Sequence, residues 1–175
     1  MTVRLLPATL AACLGLLLSA CASTSSSGAA AAAPSHEAES MVARIRAVAG
    51  QDDTELAVQP LRDPMVEDLR RRALQAEQAR RYQDAADALD QALAVTPDDP
   101  AVLQERAEAA ILLGDLDDAE AFAHKAWTLG AKVGPLCRRH WATIGQVRTA
   151  RGDAAGAASA KVQFDACRVA GPARY

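Results

Sequence analysis

Aromatic side chains are scarce in this chain, with two Phe, two Trp and two Tyr among 175 residues. A β-sandwich core draws on aromatic and β-branched residues, so that architecture is disfavoured and alanine and leucine must supply the core. Closely packed helices suit such a composition. The excess of basic charge that marks nucleic-acid binders is also missing, since 19 Lys and Arg face 22 Asp and Glu; no nucleic-acid partner is expected. The N-terminal apolar stretch, 5–18, is interrupted by Pro7 and falls short of the ~20 residues of a spanning helix. Hydrolytic signatures are absent too: there is no H-E-x-x-H or G-x-S-x-G, and Ser159-Ala160-Lys161 departs from S-x-x-K spacing. No catalytic residue, metal or cofactor is assigned, and a non-enzymatic role is expected.

The N-terminus itself has the order of an export signal: Arg4 as its one charge, the apolar stretch, then Ser19 and Ala20 before Cys21. Leu18-Ser19-Ala20-Cys21 resembles the lipobox of bacterial lipoproteins. The resemblance implies diacylglyceryl transfer to the Cys21 thiol, cleavage that discards 1–20, and acylation, as with palmitate, of the new amino terminus. Ala22 in place of Asp implies delivery to the outer membrane. Residues 22–40 are mostly Ser and Ala, with three ionisable groups, a composition that cannot bury enough apolar surface to fold. Together 21–40 form a lipidated tether whose root-mean-square reach is roughly 25 Å.

Beyond it, 41–62 is expected to hold a short helix and an extended connector. Met41, Val42, Ile45 and Val48 share one helical face before Gly50, and the helix is expected to cover one end of the main body. Asp63-Pro64 and Asp99-Pro100 then each set an N-cap acceptor before a proline at the first helical position. The segments that follow share a register. Leu69 and Leu103, Ala73 and Ala107, Ala76 and Ala110, Tyr82 and Leu116, Ala85 and Ala119, and Ala92 and Ala126 are each separated by 34 residues. That is the tetratricopeptide period.

"RRYQDAADALDQALAVTPDDP" and "LLGDLDDAEAFAHKAW" resemble the turn and second helix of that repeat. A third unit carries Trp141, Ile144, Gly145, Gly152, Asp153 and Ala157 at matching positions, after four inserted residues expected in a loop within "TLGAKVGPLCRR". It departs from the pattern at Lys161 and Phe164, and the first unit departs at Arg80-Arg81, where the repeat has Gly-Asp. The resemblance implies an all-α fold: a tetratricopeptide-like α-α hairpin solenoid of about three repeats over 63–168, following a cleaved lipoprotein signal and a disordered linker. A flexible tail, 169–175, ends the chain.

In this register Cys137 begins the first helix of unit three and Cys167 ends its second, and antiparallel helices bring such ends together. A periplasmic address permits a disulfide between them. Reduced structural thiols or a redox pair are the alternatives. Cys137-x-x-His140 with His124 is too sparse for a structural metal site.

Repeats of this kind line a concave groove with their first helices, and the groove takes a peptide or helix of another protein. Carrying the groove positions over gives Glu67, Arg70, Leu74 and Glu77 in unit one, Gln104, Glu108, Ile111 and Leu112 in unit two, and Arg139, Gln146 and Thr149 in unit three. The apolar pair Ile111 and Leu112 either meets the partner or packs on the neighbouring hairpin. The expectation is a lipid-anchored adaptor at the periplasmic face of the outer membrane. It would hold a periplasmic or outer-membrane protein in pilus or secretin assembly, outer-membrane assembly or peptidoglycan enzyme regulation. The alternatives are a self-associating structural lipoprotein, as a homodimer packed end to end, and a periplasmic thiol-redox factor.

Overall fold

The computed structural model describes residues 36–48 and 63–168. Cys21 and its lipobox, the connector and the tail lie outside the described residues. Seven helices and no strands are present among the described residues: α1 (His36–Ala47), α2 (Pro64–Gln78), α3 (Tyr82–Val95), α4 (Pro100–Leu113), α5 (Leu116–Leu129), α6 (Pro135–Ala150) and α7 (Ala154–Ala166).

Local chemistry sets the helix starts. The Asp63 carboxylate accepts from the Met65 amide at 2.7 Å, and that of Asp99 accepts from Ala101 and Val102 at 2.8 and 3.2 Å. Each satisfies donors that a helix leaves unpaired in its first turn. The following Pro64 and Pro100 lose nothing there, since that turn needs no amide hydrogen from them. Asp153 caps α7 through the Gly156 amide at 2.8 Å.

The helices pair as hairpins α2/α3, α4/α5 and α6/α7, and successive hairpins stack through α3/α4 and α5/α6. Ala73, Ala85, Ala107 and Ala119 are all buried. Side chains this small let backbones approach, and a larger one typically costs about 1 to 3 kcal/mol. The turn inside each hairpin has one residue in the left-handed region: Arg80 (φ 57°), Gly114 (φ 84°) and Gly152 (φ 75°). Arg80 thus occupies a conformation that disfavours a side chain, at the position where the other two units have glycine.

The four residues added in unit three do not form one loop. The connection before α6, 130–134, is one residue longer than 96–99 before α4; α6 itself is two residues longer than α4; and the turn 151–153 exceeds 114–115 by one. A helix that can propagate absorbs added residues without leaving backbone groups unpaired. At the same end, Cys137 and Cys167 are joined, with their Sγ atoms 2.02 Å apart and Cα atoms 5.7 Å apart. They close a cluster with Trp141, Ile144 and Ala160, against which Phe122, Trp127 and Phe164 pack.

Helix α1 differs from the expectation in start and position. It begins at His36, so 36–40 belong to a helix and not to the tether. Glu37 and Glu39 in its first turn and Arg44 and Arg46 in its last complement the helix dipole, and Ala38 is buried. Nor does it cover an end of the stack. It lies against α4 and α6, the first helices of units two and three.

Candidate protein-binding groove

The face lined by α2, α4 and α6 is divided into a filled part and an open part. The filled part begins with the α1 face formed by Ala38, Met41, Val42 and Ile45. These four pack into one buried cluster with Tyr82, Ala110, Ile111, Leu112, Ala119 and Val147. The N-terminal end of α1 is held where Tyr82 donates its hydroxyl to Glu39 at 2.8 Å, and burial followed by that carboxylate raises the Tyr82 pKa. Further along, Arg44 donates to the Gln146 amide oxygen from Nε and Nη2 at 3.2 and 3.0 Å.

Arg46 makes the strongest polar attachment. Its Nη1 and Nη2 donate to the two Glu77 oxygens at 2.6 and 2.8 Å, and its Nε donates to Glu108 Oε2 at 2.7 Å. Burial alone would lower the pKa of this guanidinium, but the two carboxylates outweigh it and raise the value. Glu108 has no exposed surface. Arg139 donates to both its oxygens, at 2.5 and 2.6 Å, and Gln104 donates to Oε1 at 2.8 Å. Burial pushes the Glu108 pKa up; Arg139, Arg46 and Gln104 together prevail and hold it below the usual carboxylate range.

Behind Glu108 the network continues into the α4/α6 interface. Gln104 also donates to the Thr143 hydroxyl at 2.8 Å, and its amide oxygen faces His140 Nδ1 at 2.7 Å. With the Gln104 amide hydrogens directed at Glu108 and Thr143, its oxygen accepts and Nδ1 carries the proton. Burial, then the neighbouring Arg139, push the His140 pKa down to about 3. Cys137 and His140 therefore serve separate ends, one in the disulfide and the other in this network.

The open part is a cleft of about 510 Å³ beside α2, lined among others by Arg70, Leu74, Glu77, Glu105 and Arg139, with Arg46 of α1 on its wall. Arg70 donates through Nε to Glu105 at 2.9 Å and through Nη1 to Glu67 at 2.8 Å. Its Nη2 pairs with Glu105 as well. Leu74 is 50% exposed.

Thr149 is exposed and donates its hydroxyl to the Gly145 carbonyl at 2.8 Å, and the other expected groove positions fall into three groups. Glu67, Arg70, Leu74 and Glu77 line the cleft and reach solvent. Arg139 and Gln146 are half-buried and already engaged, by Glu108 and by Arg44. Gln104, Glu108, Ile111 and Leu112 are buried and do not meet an outside partner in this state. Ile111 and Leu112 lie beneath α1, and Gln104 and Glu108 are enclosed in the polar network. Sequence reasoning missed Arg46, Glu105, Thr143 and His140. The apolar face of α1 was legible, but nothing local in the sequence aimed it at Ile111 and Leu112.

The profile of the tetratricopeptide repeat family matches residues 76–129, from the end of α2 through α5. Among solved structures, the globular C-terminal domain of LpoP from P. aeruginosa is similar, with a TM-score of 0.57 and 28% sequence identity. The match covers 60% of this chain and 99% of that one. No curated protein sequence matches the chain.

Proposed function

Starting from stacked α-α hairpins whose residues 76–129 match the tetratricopeptide repeat family, we propose that this chain is a lipid-anchored, non-catalytic adaptor that holds and regulates a peptidoglycan synthase at the periplasmic face of the outer membrane. The observation that carries this reading is the likeness to nearly the whole globular C-terminal domain of LpoP; peptidoglycan enzyme regulation is one of the envelope roles that lipoproteins with such repeats are expected to serve. Anchoring is supported by the lipobox-like Leu18-Ser19-Ala20-Cys21 and the Ala22 that follows. Among the described residues no helix is long and apolar enough to cross a membrane. The cleft offers the partner one exposed apolar side chain, Leu74, within a rim of arginines and glutamates. Arg70 and Leu74 are the residues on which contact depends.

The test is glycan polymerisation by the purified synthase of the same organism, with and without the full chain in nanodiscs. A several-fold change in rate is expected, and Arg70→Glu with Leu74→Asp should abolish it. No effect on rate together with no measurable binding would remove the reading. Loss of palmitate incorporation in Cys21→Ser checks the anchor separately.

Self-association is a second reading favoured by one observation. In the last helix, α7, only Ala160 is buried, and Val162 is 65% exposed. Sedimentation that rises with concentration would support it, and a monomer at all concentrations would exclude it.

A further inference from the structure

The face formed by the first helices of the hairpins already holds a helix, the chain's own α1. We propose that α1 is a tethered ligand of the repeat groove, displaced when a helix of the same pattern arrives from another protein. The inference rests on the reading that this face is the binding surface, and it adds what the surface recognises.

Three observations carry it. First, α1 stands outside the repeat register and packs on the first helices α4 and α6, as a helix bound in a groove does. One face, Ala38, Met41, Val42 and Ile45, is buried, while Glu37, Ser40, Ala43, Arg44 and Ala47 stay exposed. Fifteen residues, 48–62, lie between the end of α1 at Ala47 and Asp63.

Second, the buried carboxylate of Glu108 keeps partners of its own without α1. Both oxygens of the buried Glu108 accept from Arg139, and Gln104 donates to one of them. Withdrawing Arg46 therefore strands no buried carboxylate, which is the event that makes breaking a buried ion pair so costly. Glu77, the other partner of Arg46, is 22% exposed, lines the open cleft and can turn to water.

Third, the groove does not remain satisfied on its apolar side. Departure of α1 removes four apolar side chains from the cluster that buries Ile111 and Leu112, now 1% and 4% exposed. An adjacent apolar pair in a groove calls for an apolar replacement. The occupant that fits is read from α1: two neighbouring apolar residues (Met41, Val42), another three positions on (Ile45), and an arginine directly after it (Arg46) to bridge Glu77 and Glu108.

The test uses the full chain in nanodiscs and a fluorescent peptide of residues 36–48, followed by anisotropy. Ile45→Asp in the chain weakens the internal helix, so this variant should bind the peptide at least tenfold more tightly than the wild-type chain does. The same peptide carrying Arg46→Glu should lose at least tenfold in affinity for that variant. Hydrogen exchange on the wild-type chain supplies a second readout, with α1 amides expected to exchange well before those of α4 and α6. Absence of peptide binding to the Ile45→Asp chain would overturn the proposal. So would unfolding of the whole variant, or α1 amides that exchange only together with α4, since either makes α1 an inseparable part of the core. Peptide binding by a chain that leaves the synthase unaffected would preserve this inference and remove the functional reading above; a synthase response without peptide binding would do the reverse.

Discussion

Leu74 and Glu108 stand 34 residues apart, at the same place in two successive repeats, yet the leucine is half-exposed and the glutamate is sealed from solvent. Hydrophobicity alone would have reversed them. In a solenoid the register fixes where a backbone position lies, while the environment depends on what covers it. On α2 nothing among the described residues covers Leu74, whereas α4 and α6 are covered by α1. The same contrast holds at Glu77 and Ile111, also 34 apart: the glutamate reaches across to Arg46 and the isoleucine lies beneath the apolar face of α1.

The sharpest way to break this comparison is to truncate both members. Glu108→Ala leaves Arg139 facing a buried site without its carboxylate and should cost about 3 to 5 kcal/mol in urea unfolding. Leu74→Ala should stay within about 0.5 kcal/mol. Equal effects would mean that the two positions share one environment.

The disulfide contrasts the third unit, stapled, with the first, which has no cysteine. Replacing Cys137 and Cys167 by serine should lower stability by about 3 to 4 kcal/mol, taking the chain-entropy view of a loop with a sequence separation of 30. Calorimetry with and without reductant on the wild-type chain checks the same quantity.

A smaller effect separates the sealed half by pH. His140 is held neutral, its folded pKa about 3 against an ordinary 6.5, so the unfolded chain binds the extra proton. The stability it contributes is complete above pH 6.5 and is lost as pH falls from there towards 3. The slope is about 1.4 kcal/mol per pH unit. Unfolding measured at pH 7 and pH 5.5 should show a loss in the wild type that His140→Gln reduces by about that slope.

Smallest is the turn of unit one. Arg80→Gly gives its left-handed position the residue used in units two and three and should raise stability by about 1 kcal/mol, read as a higher urea midpoint. The exposed Arg80–Glu39 pair it removes, at 3.3 Å, contributes little.

Much of the fold was legible because repeats are local. Asp-Pro starts, alanine spacing and the 34-residue period each depend on near neighbours, and they place α2 through α5 without any tertiary contact. What escaped is non-local. Residues 36–40 looked like tether because Ser, Ala and three ionisable groups lack a core of their own; they are helical where Ala38 finds a buried site and Glu39 finds Tyr82. The unit-two groove positions follow a bare-groove pattern, and the covering helix lies more than 50 residues upstream of them in the chain. Arg46 and Glu105 find their partners across hairpins, which periodicity does not encode.

The occupancy of the groove is tested most directly by methyl-resolved relaxation in the presence of a soluble paramagnetic agent, using the full chain in nanodiscs. The account predicts strong enhancement at the Leu74 methyls and protection at those of Ile111, Leu112 and Ile45. Comparable enhancement at Leu74, Ile111 and Leu112 would mean that α1 does not fill the groove, and would contradict it.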